Sequence, residues 1–153
     1  MPLTAACIAV AASLLQVPEP TLWTILKTEG GRVGACTAQA NGSHDCGPAQ
    51  VNTETWTPYL SQLLHRPQDS VHEALRDDGC FNIWAAATVF RVKLDEAHGD
   101  VWEAAGRYNS ATPVFKLAYQ ARLTTAYEQL FRPARAPVRA KAKPAPRPRD
   151  GNG

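Results

Sequence analysis

A change of composition at Arg132 limits what this chain can fold into. From there the sequence reads RPARAPVRAKAKPAPRPRDGNG, with five prolines and almost no large apolar residue. Such a stretch cannot bury enough apolar surface to offset the entropy of ordering it. It is expected to be disordered and in part extended in a polyproline-like form. The globular fold must then come from residues 1–131. That length makes about one domain, able to enclose a core without a metal or bridge to compensate for smallness. Charge divides at the same place. Residues 1–131 carry 9 Lys/Arg and 13 Asp/Glu, a net of −4, whereas 132–153 carry 7 Lys/Arg against Asp150 alone, a net of +6. The acidic body does not suit nucleic acid, and no nucleic-acid partner is expected. The basic tail suits attraction to an anionic surface. No apolar run reaches the roughly 18 residues of a bilayer-spanning helix, so no transmembrane segment is expected.

Within the body the pattern is helical. Residues 4–16 make one apolar helix, interrupted by Pro18 and Pro20. These prolines open a second helix in which Leu22, Trp23, Ile25 and Leu26 recur at helical spacing, and Gly30-Gly31 terminate it after Glu29. Residues 32–52, with Gly34, Asn41, Gly42, Ser43 and Gly47, read as a loop or short hairpin. Thr53 is placed to cap a helix containing Trp56, Tyr59, Leu60, Leu63 and Leu64. Ser70-Val71-His72-Glu73 has the form of a capping box for a short helix. Residues 80–97 form a long helix ended by Gly99. Two more helices span 100–107 and 113–131, the last with Pro113 in its first turn.

The four cysteines, Cys7, Cys36, Cys46 and Cys80, fit no zinc spacing. An even, widely spaced set suits two disulfides in an oxidising compartment, the alternative being four reduced buried thiols. Three pairings are possible. Residues 5–17 resemble the core of a signal peptide, yet no basic residue precedes Lys27, so the run reads equally as a buried first helix of a processed chain. The scattered His44, His65, His72 and His98 give no metal pair. Trp23, Trp56, Trp84 and Trp102 read as core residues, with Trp56 the one considered for substrate contact.

Glu29 carries the first chemical suggestion. It ends an apolar helix, where the dipole disfavours added negative charge, and apolar surroundings disfavour it further. Both raise its pKa, and a glutamic acid still protonated near neutral pH can protonate a leaving oxygen.

The segment 41–52, NGSHDCGPAQVN, follows. With Glu29-Gly30-Gly31 it resembles the lysozyme-like superfamily, in which an acid ends a helix and a hairpin brings a D-x-G-x-x-Q-I-N pattern to a sugar cleft. Here that pattern is Asp45, Gly47, Gln50, Val51 and Asn52. Arg107-Tyr108-Asn109 resembles the A-Y-N motif of soluble lytic transglycosylases, and Tyr119 fits the tyrosine on the next helix. Asp78-Gly79-Cys80-Phe81-Asn82 resembles the P-C-x-N segment of a subgroup attached to secretion, conjugation and pilus machines. The motifs stand in order over roughly residues 7–130. The chain departs from the family in Gly30 for the usual Ser, in G-P-A-Q for G-L-M-Q, and in Arg107 for Ala.

The resemblance implies a mostly α fold of the lysozyme-like α+β kind, with a small hairpin region lining the cleft. It implies the pairings Cys7–Cys80 and Cys36–Cys46, and no cofactor or metal. It implies a periplasmic or secreted enzyme acting on peptidoglycan glycan strands between N-acetylmuramic acid and N-acetylglucosamine, with components of such a machine as partners. Glu29 would be general acid and then base, yielding a 1,6-anhydromuramyl product with help from the substrate's own acetamido group. Gln50, Asn52, Tyr108, Asn109 and Tyr119 would position sugar and acid. Two alternatives stand beside this. Asp45 could be a second carboxylate in a hydrolysing muramidase, or a turn residue holding backbone N–H groups. The protein could also be a non-catalytic wall-binding assembly factor.

Overall fold

The computed structural model describes residues 1–132, and the rest of the anticipated basic tail, 133–153, lies outside the described residues. The helix α1 (Ala5–Leu15) begins where the Thr4 side chain accepts from the Cys7 N–H. It ends two residues before Pro18, at Gln16 in the left-handed region (φ 52°). Pro18 and Pro20 then open α2 (Glu19–Glu29), which Gly30 stops at φ 61° with its N–H on the Leu26 carbonyl. A side chain at such a φ is strained, and glycine is not.

The segment read as loop or hairpin folds into three short antiparallel strands, β1 (Cys36–Ala38), β2 (His44–Cys46) and β3 (Val51–Asn52), in that spatial order. Asn52 leads directly into α3 (Thr53–Leu64). The cap there is Asn52, one residue earlier than expected, because its Oδ1 accepts from the Thr55 N–H. The helix α4 (Gln68–Asp77) starts two residues before Ser70. Pro67, extended and without an N–H, stands at the cap position, so Ser70 falls inside the helix and its hydroxyl accepts from Arg66 Nη2. Asp78 caps α5 (Gly79–Glu96), Asp100 caps α6 (Val101–Asn109), and Pro113 opens α7 (Pro113–Phe131).

The molecule is thus mostly helical with one small sheet. The helix α5 runs through its centre: Ile83, Ala85, Ala86, Ala87, Val89 and Phe90 are all buried, and Trp84 alone is partly exposed over that stretch. The alanines let α1, α2, α4 and α6 approach it closely. Ile8, Leu22, Ile25, Leu75 and Leu123 complete the core from the surrounding helices. Each such side chain contributes about 1.5–3 kcal/mol by leaving water.

Two disulfides brace this arrangement. Cys7–Cys80 ties α1 to the first turn of α5 across 73 residues of sequence. Cys36–Cys46 joins directly opposed residues of β1 and β2. Both are compatible with an oxidising compartment. Among the described residues no helix is long and apolar enough to cross a membrane.

Candidate active site

Glu29 is the last residue of α2, and Gly30 turns the chain away behind it. Gly31 allows the next contact. A Cβ there would overlap the Gly47 carbonyl and stand 2.7 Å from Gln50 Nε2, so only glycine lets this strand of chain lie against the 47–50 turn. The two sequence motifs therefore meet backbone to backbone.

Tyr119, on α7, comes from the other side. It is 1% exposed, and its hydroxyl donates to Glu29 Oε1 at 2.6 Å across 90 residues of sequence. Among the described residues no hydrogen bond engages Oε2. Arg122, one turn further along α7, has its guanidinium over the Tyr119 ring at 5.6 Å and donates from Nη2 to the Thr28 carbonyl at 2.9 Å.

These surroundings set the acidity of Glu29. Burial pushes its pKa up, and this outweighs the opposing pull of the Tyr119 hydrogen bond and the Arg122 charge; the charge of Asp45 adds to the rise. The same environment holds the Tyr119 hydroxyl far above its ordinary value through burial and the neighbouring Glu29 charge. At neutral pH Tyr119 therefore keeps its proton and donates a hydrogen bond to Glu29.

Asp45 lies in β2, close enough for its charge to act on Glu29. Both of its oxygens are engaged: Oδ2 accepts from Gln39 Nε2 at 2.6 Å and Oδ1 from Asn52 Nδ2 at 2.9 Å. Asn52 also donates to Ser43 Oγ, while its Oδ1 caps α3. Its amide is thus used within the protein, fixing Asp45 to the start of α3. Next to it, Glu54 accepts from the His44 N–H at 2.7 Å and lies 3.1 Å from His44 Nδ1, which holds its carboxyl down to about 2.

The turn between β2 and β3 is held from several sides. Gln50 takes a left-handed φ of 49°, a conformation costing a non-glycine residue on the order of 1 kcal/mol. Its backbone and side-chain N–H groups both donate to the Gly47 carbonyl. Asn82, fully buried on α5, accepts from the Ala49 N–H and donates to the Cys46 and Leu75 carbonyls. Tyr108 on α6 donates to the Ala49 carbonyl at 2.9 Å. Burial, with the nearby charges of Glu29 and Asp45, holds the Tyr108 hydroxyl well above its ordinary pKa. Ala49, at the position where the resembled pattern has Met, is fully buried.

The structure therefore brings together Glu29, Asp45, Gln50, Asn52, Tyr108 and Tyr119. Asn109 ends α6 as an exposed residue and shares none of the hydrogen bonds described above. Two participants were not assigned from sequence. Asn82 is the one amide among the inward-facing apolar residues of α5, a detectable oddity. Arg122 carries no sequence signal beyond standing three residues after Tyr119. Trp23, Trp56 and Trp84 are partly buried against the core, but Trp102 is 51% exposed and is not a core residue. No group of three or more His, Cys, Asp or Glu side chains among the described residues is placed to hold a metal. In comparisons with known proteins, no family model and no curated protein matches this chain.

Proposed function

We propose that the protein is a peptidoglycan lytic transglycosylase. The observation that carries this reading is Glu29: a carboxyl with raised pKa at a helix end, gripped through one oxygen by a buried tyrosine and flanked by the Asp45–Asn52 turn. It supports an acid that is protonated when substrate arrives. Glu29 gives its proton to the glycosidic oxygen between muramyl and glucosaminyl sugars. The substrate's acetamido oxygen then supports the cationic carbon. Glu29, now a carboxylate, takes the proton of the muramyl C6 hydroxyl, which closes the 1,6-anhydro ring and restores the acid. Tyr119 holds Oε1 throughout, leaving Oε2 for the proton.

The two amide donors on Asp45 favour this one-carboxylate course over a hydrolase. Each Asp45 oxygen already accepts an amide N–H, which ties the carboxylate to the hairpin and makes it a weaker nucleophile and base. The two disulfides fit a periplasmic or secreted setting, and the Asp78–Asn82 resemblance suggests service to a secretion, conjugation or pilus apparatus that must open the wall locally.

The test is mass spectrometry of the products from purified peptidoglycan. Anhydromuramyl ends are expected, and Glu29→Gln should reduce their rate of formation roughly 10²–10⁴-fold. Reducing ends, heavier by one water or about 18 Da, would make it a muramidase and return Asp45 to catalysis. Wall binding without any products from either protein would favour the assembly-factor reading.

A further inference from the structure

Beside the acid lies a second feature. A cleft of about 230 Å³ runs between the end of α2 and α7, lined by Lys27, Thr28, Arg122, Thr125, Ala126 and Gln129. Its charge is unusual for this molecule. Residues 1–131 carry more acids than bases, and most of the bases are ion-paired: Arg76, Arg91, Lys93, Arg107 and Lys116 each meet an acid. Lys27 and Arg122 form no ion pair among the described residues, yet they line one cleft. Arg122 is also held in place. Its Nη2 is fixed on the Thr28 carbonyl and its guanidinium carbon lies over the Tyr119 ring, so its remaining N–H groups lose little freedom when they bind. The Gln129 amide and Thr125 hydroxyl add neutral polar groups.

We propose that this cleft is a carboxylate subsite, which takes the acidic peptide stem attached to the muramyl sugar beside the bond that Glu29 cuts. The proposal rests on the wall-cleaving reading. Arg122 links the two places, since it lines the cleft and stacks on the tyrosine that grips Glu29. A stem docked there would fix which sugar stands over the acid, so the residue pair would select strands that carry free stem carboxylates. A planar carboxylate matches the guanidinium fork, and the Lys27 ammonium supplies a second charge.

Two measurements test it. The first needs no turnover: binding of N-acetylmuramyl-L-alanyl-D-glutamate to the whole protein, followed by NMR, against its carboxamide form and against inorganic phosphate. Tighter binding of the carboxylate than of the carboxamide, weakened about tenfold or more by Lys27→Ala, is expected. Equal binding of both forms, equal competition by phosphate, or indifference to Lys27→Ala overturns the subsite. The second compares kcat/KM on peptidoglycan with free stem carboxylates and on the same material after conversion to carboxamides. The ratio of the two should fall about tenfold in Lys27→Ala. An unchanged ratio with active enzyme overturns the subsite. Absence of cleavage on both materials sinks the enzymatic reading alone, because the binding arm still decides for or against the cleft.

Discussion

Tyr119→Phe isolates one influence on the acidity of Glu29. The ring stays, so the packing of α7 and the Arg122 stack over it are kept. Only the hydroxyl that donates to Glu29 Oε1 at 2.6 Å is lost. That length lies within the range of charge-assisted O–H···O⁻ bonds, about 2.5–2.7 Å. Such a bond to an ionised group is worth about 1.5–3 kcal/mol. The protonated carboxyl accepts the same bond at about half the strength. Tyr119 therefore favours the ionised form by about 0.8–1.5 kcal/mol. Its removal should therefore raise the Glu29 pKa further. The assay is a ¹³C NMR titration of the Glu29 carboxyl in the two proteins, which needs no substrate. Where activity is measurable, the alkaline limb of the rate profile should move up equally, since the acid works protonated. A midpoint that stays in place or falls would refute the argument that this bond opposes burial.

The same raised pKa makes a claim about stability. The folded state holds the Glu29 proton more tightly than the unfolded chain, so stability falls as pH rises from the ordinary glutamate value of 4.5 through the raised one. Glu29→Gln should therefore melt higher than the parent at pH 7, with the gap closing below pH 4.5; an equal gap at both pH values would deny the shift. Asp45→Asn removes a charge that raises the Glu29 pKa. Under the one-carboxylate course kcat/KM should survive within about tenfold with its alkaline limb moved down, whereas a nucleophilic Asp45 predicts a loss of several powers of ten. Asn82→Ala strips partners from the Ala49 N–H and the Cys46 and Leu75 carbonyls. Urea unfolding should report a loss of about 4 kcal/mol, and a loss below about 1 kcal/mol would mean water replaces the amide. Gly31→Ala must push the 47–50 turn away from the Glu29 segment. A loss of more than about tenfold in wall cleavage is expected with modest loss of stability, and full activity would show that this close approach is dispensable.

The helix ends are legible because they depend on covalent properties of single residues. Pro18, Pro20 and Pro113 constrain their own φ, and Gly30 and Gly99 accept the left-handed turns at 61° and 88°. Start signals read less well when a stronger neighbour overrides them. Ser70 has the form of a cap, but Pro67 has already opened α4. The strands at 36–38, 44–46 and 51–52 are too short for periodicity and exist through their pairing. Glu29 stands out by itself, as an acid at the end of an apolar helix before two glycines. Tyr119 is reached only by resemblance, since nothing local links residues 90 positions apart. Arg122 acquires its role from what folding places beside it, which one sequence does not reveal, whereas Asn82 shows in the sequence as the one amide on the apolar face of α5 but without its partners.

The tethers on the 46–50 turn bear directly on the chemistry of Glu29. Cys36 holds the turn covalently, Asn82 holds it from α5, Tyr108 from α6, and Gly31 lies flat against it. Tyr108 has its hydroxyl proton committed to the Ala49 carbonyl, so its effect on the site passes through this turn as well as through its half-buried ring. A carboxyl keeps a raised pKa only while its surroundings cannot move to solvate the anion. A turn free to swing would admit water beside Glu29 and lower its pKa toward that of an ordinary glutamate. The braces that look merely structural thus help keep the Glu29 pKa raised. Loosening any one of them should lower the Glu29 pKa and the activity together.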